Sequence, residues 1–239
     1  MPESTLQESE SEVRDRIRDN LGRVKDRIAV AAERAGRASD DVQLVAVSKT
    51  WPVPVVQAAV DVGALTLGEN RVQEGQAKVP EVTGDPSWHL VGHLQRNKAK
   101  VAVELFDAIQ SVDSVRLARE IGKHAVGAGK EVPVHLQVNT SGEASKFGVE
   151  PDALTDFAGE AAEIDGIRVV GLMTIAAHTT DETQVRNCFR ALRELRDDVA
   201  RSHESIESLS MGMTSDFEMA IEEGATVVRV GTAIFGQRS

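Results

Sequence analysis

The stretch Gln43-Leu44-Val45-Ala46-Val47-Ser48-Lys49 decides the fold. Its uninterrupted apolar centre reads as a parallel strand buried on both faces. A lysine at the carboxyl end of such a strand falls on the rim where α/β sheets and barrels place their chemistry. Upstream, Val13, Ile17, Leu21, Val24, Ile28 and Ala31 recur at helical spacing. They predict a helix from Val13 to about Gly36, preceded by a polar, disordered stretch over residues 1–12.

Downstream, strand and helix patterns alternate. Strands are expected at Thr66–Asn70, Trp88–Gly92, Phe106–Val112, Val132–Asn139, Ile167–Ile175, Ile206–Met211 and Thr226–Val230. Helical patterns fill the intervals: Pro52–Val62, Val72–Val79, Asn97–Leu105, Ser114–Ala128, Pro151–Ile164, Glu182 to about Arg201, and Asp216–Glu223. No Pro/Gly/Ser-rich linker interrupts the rhythm. The pattern predicts an α/β fold: a single-domain (β/α)8 TIM-type barrel over residues 13–239 with an extra N-terminal helix. A doubly wound open sheet is the alternative, because periodicity does not decide whether a sheet closes. No helix pattern follows the last strand, so the first helix either covers that gap or closes the barrel bottom.

The 239 residues are 41% hydrophobic, enough for a sizeable core. A net charge of -11 argues against nonspecific binding to nucleic acid or anionic membranes. No apolar stretch approaches the ~20 residues of a spanning helix, and Met1-Pro2-Glu3-Ser4 is unlike a signal peptide. A cytoplasmic protein is therefore expected. The lone Cys188 permits no intramolecular disulfide and reads as a small apolar residue on a helix.

Polar residues recur at the expected strand ends. A lysine ammonium beside apolar strands loses hydration, which favours a nucleophilic amine suited to imine formation with an aldehyde; Lys49 could equally snorkel to the rim. The Gly231-Thr232 turn offers close backbone approach and a hydroxyl to a phosphate, and loops after strands seven and eight often bind one. Arg229, two residues earlier on the same strand face, needs a partner: a pyridine nitrogen or a carboxylate such as Glu69. Together these residues point to a phosphorylated carbonyl cofactor held as a Schiff base. His89 and His93 span a strand and its loop without a cysteine cluster, so no metal site is expected. Neither a P-loop sequence nor GxGxxG is present.

Seven segments, in order, resemble the YggS/PROSC family of pyridoxal phosphate homeostasis proteins. They are Val45-Ala46-Val47-Ser48-Lys49-Thr50, the 68–74 segment beginning Gly68-Glu69-Asn70, and the 88–98 segment from Trp88 to Lys98. The others are residues 137–148, Gly171-Leu172-Met173, the 209–216 segment containing Ser210-Met211-Gly212, and 229–236 beginning Arg229-Val230-Gly231-Thr232. The resemblance implies a barrel like the amino-terminal domain of alanine racemase, with pyridoxal 5'-phosphate on Lys49. It places Arg229 toward the pyridine nitrogen and Asn70 in the cofactor pocket. Ser210, Gly231 and Thr232 would hold the phosphate, with Met211 nearby. Family members often carry a second lysine two residues after the first, where this chain has Trp51; Lys146 matches a family lysine that is either a secondary contact or a solvated loop residue.

Two function classes follow. Arginine cannot accept a hydrogen bond, so it donates to an unprotonated ring nitrogen and weakens the cofactor as an electron sink. Alanine racemases use a lysine and a partner chain's tyrosine, and this chain has no tyrosine and ends at Ser239, leaving no room for their second, β-rich domain. The expectation is therefore a monomeric pyridoxal phosphate carrier or buffer without robust turnover, passing cofactor to apo-enzymes. A pyridoxal phosphate-dependent amino-acid racemase is the alternative.

Overall fold

The computed structural model describes residues 9–143 and 145–237. Eight parallel strands form a closed barrel in sequence order. They are β1 (Gln43–Val47), β2 (Thr66–Glu69), β3 (Ser87–Leu90), β4 (Ala108–Val112), β5 (Val132–Gln137), β6 (Ile167–Met173), β7 (Ser208–Ser210) and β8 (Val227–Val230). Closure comes from β1, which pairs with β2 on one side and with β8 on the other, Gln43 to Ala46 lying opposite Val227 to Val230. The open-sheet alternative is thereby excluded.

The helices are α1 (Glu10–Arg34), α2 (Val53–Asp61), α3 (Val72–Lys78), α4 (Ala99–Leu105), α5 (Val115–Gly127), α6 (Leu154–Ala162), α7 (Glu182–Ala200), α8 (Phe217–Glu222) and α9 (Thr232–Phe235). Their apolar stripes bury against the strands; on α7 the stripe is Val185, Cys188, Phe189, Leu192 and Val199. Cys188 is thus the buried helical residue expected. Helix α1 starts at Glu10, not Val13. Ser9 and Glu12 form a capping box, the Glu12 N–H reaching Ser9 Oγ at 3.3 Å and the Ser9 N–H reaching Glu12 at 2.7 Å. Of the stretch expected to be disordered, residues 1–8 lie outside the described residues and Ser9 to Glu12 belong to the helix and its cap.

Helix α1 packs against α2, α8 and α9, and so fills the gap in the outer ring. Arg27 clasps Glu218 through two hydrogen bonds and stacks on Phe217, while Asn20 donates to the Ile234 carbonyl at 2.8 Å. The short helix α9 was not expected, because four residues carry no readable period.

The barrel interior is unusually polar. His89, Gln110, His135, Ser210 and Arg229 are all buried. They form a directional chain: Arg229 Nη1 donates to Ser210 Oγ (2.5 Å), Ser210 Oγ donates to Gln110 Oε1 (2.6 Å), and Gln110 Nε2 faces His89 Nδ1 (2.8 Å). Because arginine can only donate, each later polarity follows, and His89 must accept at Nδ1. Burial pulls the His89 pKa down to about 4 and that of His135 to about 3, so both rings are neutral.

Candidate functional site

A cavity of about 840 Å³ opens at the carboxyl ends of the strands. Val47 and Lys49 reach it from the end of β1, Asn70 from the end of β2, and Val91, Gly92 and His93 from the turn after β3. Thr214 and Ser215 follow β7, while Arg229, Gly231 and Thr232 come from β8 and its turn. Trp51, Gln137, Phe147, Ile175 and Met213 add an apolar and amide wall.

Lys49 is half-buried at this cavity, and among the described residues its amine has no hydrogen-bond or ion-pair partner. Arg229 is 5% exposed. Its Nη1 bonds to Ser210, and its Nη2 donates to the Thr174 carbonyl at 2.8 Å. No carboxylate touches it among the described residues, although Asp216 acts on it electrostatically. Burial lowers its pKa to about 10, so it stays cationic at neutral pH. Glu69, the carboxylate offered above as its alternative partner, instead pairs with Lys78 at 2.6 Å. The mouth therefore presents a guanidinium and an amine without contacting counterions, a donor set matched to an anionic, carbonyl-bearing ligand.

The glycines shape the approach. A Cβ on Gly231 would come within 3.1 Å of the Val47 carbonyl oxygen, and one on Gly92 within 2.3 Å of the Asn70 carbonyl oxygen. The Gly231 N–H is already committed to Thr214 Oγ1 at 3.3 Å. That bond leaves the Thr214 hydroxyl proton to donate elsewhere. The opening N–H groups of α9, at Thr232 and Ala233, have no acceptor within the helix.

Lys49, Asn70, Arg229, Gly231 and Thr232 thus converge on one cavity. Ser210 and Met211 do not reach its wall, for both are 0% exposed. The Ser210 hydroxyl is used between Arg229 and Gln110, the Met211 side chain packs into the core, and the Met211 N–H is bonded to the Val227 carbonyl at 3.0 Å. The hydroxyls that the loop after β7 brings to the cavity come instead from Thr214 and Ser215, beyond Gly212. Gly212 turns the chain at φ 94, where any Cβ would lie 2.6 Å from that of Ala220.

Also missed were His93 and Phe147, whose rings stack at 3.9 Å, with His93 Nδ1 held 3.2 Å from Asp113. An exposed aromatic in a polar loop was the available signal. Lys146, next to Phe147, is tied to Glu143 (2.9 Å) and to the Ala176 carbonyl (2.5 Å), and so pins its loop instead of lining the cavity.

The profile of the family described as alanine racemase, N-terminal domain, matches residues 20–239. The pyridoxal phosphate homeostasis protein of Aquifex aeolicus is 43% identical, over 92% of this chain and 97% of that protein. A crystal structure of an unknown protein from Bifidobacterium adolescentis superposes with a TM-score of 0.88 at 43% identity, covering 93% of this chain and 96% of that one. PipY of Synechococcus elongatus, solved with pyridoxal phosphate bound, gives a TM-score of 0.81 at 34% identity over 92% of this chain and all of that one. On these similarities, and on the barrel that carries them, the chain belongs to the pyridoxal phosphate homeostasis protein family.

Proposed function

We propose that this protein binds pyridoxal 5'-phosphate reversibly in the barrel-mouth cavity, and that it buffers the aldehyde and passes it to apo-enzymes without robust turnover of its own. One observation carries the reading: an unpartnered amine, Lys49, shares a cavity with a buried guanidinium, Arg229, that no carboxylate contacts. Lys49 Nζ would condense with the aldehyde carbon to a Schiff base, releasing water. Thr214, Ser215 and Thr232 offer hydroxyls to the phosphate, and Gly231 leaves room for it beside Val47. Asn70 lines the same wall. Arg229 donates to the ring nitrogen, and Ser210 acts through Arg229 by fixing its plane.

The bound cofactor would supply an electron sink, which is strong only when its ring nitrogen is protonated. An arginine pulled down only to about 10 supplies a hydrogen bond but keeps its proton at neutral pH. The chain also lacks the tyrosine that racemases use as second base. Both features favour holding the cofactor over working it. We read it as acting as a monomer. No helix among the described residues is long and apolar enough to cross a membrane, and we place the carrier in the cytoplasm.

The test is visible absorbance of purified protein with added pyridoxal phosphate, before and after borohydride reduction, with the adduct mapped by peptide mass. Trapping at Lys49, and its loss in Lys49→Ala, is the expected result. A full-strength adduct in Lys49→Ala would move the site. Robust Lys49-dependent deuterium exchange at an amino-acid α-carbon would replace the carrier reading by the racemase one.

A further inference from the structure

The backbone on both sides of Lys49 is held by a buried charge cluster that cofactor binding does not itself use. On the amino side, the Ser48 carbonyl accepts from Lys78 Nζ at 2.8 Å, and Ser48 Oγ donates to Glu69 Oε1 at 2.6 Å. Lys78 Nζ donates to the same Glu69 Oε1 at 2.6 Å. On the carboxyl side, the Thr50 N–H donates to Glu74 Oε2 at 2.8 Å. Thr50 sits at φ 65, a left-handed conformation that a β-branched residue adopts only when its surroundings hold it. Glu69 is 0% exposed and Lys78 5% exposed.

A proton count singles out one state. Glu69 Oε1 already accepts two hydrogen bonds, whereas Glu69 Oε2 is buried with no donor facing it. Both carboxyls converge on Lys78 Nζ, Glu69 Oε1 at 2.6 Å and Glu74 Oε2 at 3.8 Å, which sets Glu74 beside Glu69. Two carboxylates cannot bond to each other, but a proton on Glu69 Oε2 donated to Glu74 gives the orphaned oxygen its partner. It also leaves one buried ammonium opposite one carboxylate, the arrangement that burial tolerates best.

We propose that Glu69 and Glu74 share a single proton beside Lys78, and that this cluster acts as the positioning device that orients Lys49 in the cavity. Burial, reinforced by Glu74, raises the Glu69 pKa to about 7 despite Lys78 and Ser48. For Glu74 burial acts upward but is outweighed by the hydrogen bonds from Glu69 and the Thr50 N–H, with Lys78 and Arg71 adding to them, so its carboxyl falls below the usual range. The charged groups acting here are Lys78 and Glu74 of α3 and Arg71 just before it; the segment after β1 contributes Ser48 and Thr50. Losing the shared proton sets two carboxylates against each other and loosens the grip on Ser48 and Thr50. The reactivity of Lys49 should therefore carry a step near neutral pH that follows the protonation of Glu69.

Two ligand-free measurements test the cluster, and one with cofactor tests its consequence, which rests on the binding reading above. Infrared difference spectra of the wild type should show a protonated carboxylic acid at about pH 6 that is lost by about pH 8, and Glu69→Gln should lack this signal. Competitive acetylation should show a step in Lys49 labelling near pH 7, relative to the exposed Lys123. Glu69→Gln, whose amide keeps both an acceptor and a donor, should remove the step and keep the wild-type low-pH rate. Glu69→Ala should slow trapping of pyridoxal phosphate at Lys49 by about tenfold, and Gln should restore it. Absence of the acid signal, or a Gln variant that behaves as Ala, overturns the proposal. Wild-type protein that never traps the cofactor at Lys49 overturns the binding reading instead, while the infrared and acetylation results still decide the cluster.

Discussion

The Glu69→Gln substitution also makes a thermodynamic prediction that needs no ligand. Glu69 is raised from 4.5 to about 7 in the folded chain. Between those values the folded state holds a proton that the unfolded state has released, so stability falls as pH rises through this window and levels off above the folded pKa. At 1.36 kcal/mol per pKa step the full drop is about 3 kcal/mol. Glutamine mimics the protonated form and does not titrate. The stability of Glu69→Gln relative to wild type should therefore climb by about 3 kcal/mol between about pH 4.5 and pH 8. Glu74 remains in both proteins and keeps a donor in both, so its own titration largely cancels from the difference. Urea unfolding at the two pH values is the assay; with a slope of ~2–3 kcal/mol per molar, the midpoint difference should change by about 1 M. An unchanged difference, or a variant that loses ground as pH rises, would refute the shared proton.

Other perturbations address the remaining walls. Gly231→Ala sets a methyl 3.1 Å from the Val47 carbonyl at an ordinary φ of -114; it should cost the fold about 1 kcal/mol while weakening cofactor binding about tenfold, as read by absorbance titration. Arg229→Glu should reverse the charge facing the ring and shift the bound spectrum; an unchanged spectrum would reduce Arg229 to a structural donor for Ser210 and Thr174. His135 is held neutral by burial, with His89 and Arg229 adding to the effect, at about 3 against 6.5 unfolded. Its stabilising contribution is present above about pH 6.5 and lost as pH falls toward 3, at up to ~1.4 kcal/mol per pH unit. The pH dependence of the melting temperature in His135→Asn should be correspondingly flatter on the acid side.

Much of this was legible because parallel barrels write themselves plainly. Leu44-Val45-Ala46-Val47 and Val227-Val228 are apolar without alternation, since barrel strands are covered on both faces. Lys49, Arg229 and Gly231 stood out as polar or flexible residues interrupting or ending such runs. Ser210 was misassigned for a physical reason: a serine on an inward strand position can bond upward to a ligand or sideways to its neighbours, and sequence does not encode the rotamer. The Glu69–Lys78 pair escaped notice because the lysine comes from the far end of a short helix, and at i,i+4 from Glu74 it reads as a solvated helix pair.

The misassignment of Ser210 leads to a view of how the interior serves the mouth. A hydrophobic barrel core would have left the Arg229 guanidinium to swing toward solvent or to recruit a carboxylate. Here Ser210 and the Thr174 carbonyl take its donors without neutralising it, and Gln110 fixes Ser210 in turn. The guanidinium keeps its charge and one orientation, at the expense of a buried cation. On the other side of the cavity the reverse solution operates: Glu69 and Glu74 surround Lys78 so that the buried charges close on themselves and none reaches Lys49. A cavity meant to hold an anionic aldehyde reversibly needs both arrangements, an uncompensated cation to draw the ligand and an amine not tied up in an ion pair. Converting either into the other, by placing a carboxylate beside Arg229 or beside Lys49, should abolish binding while leaving the barrel folded.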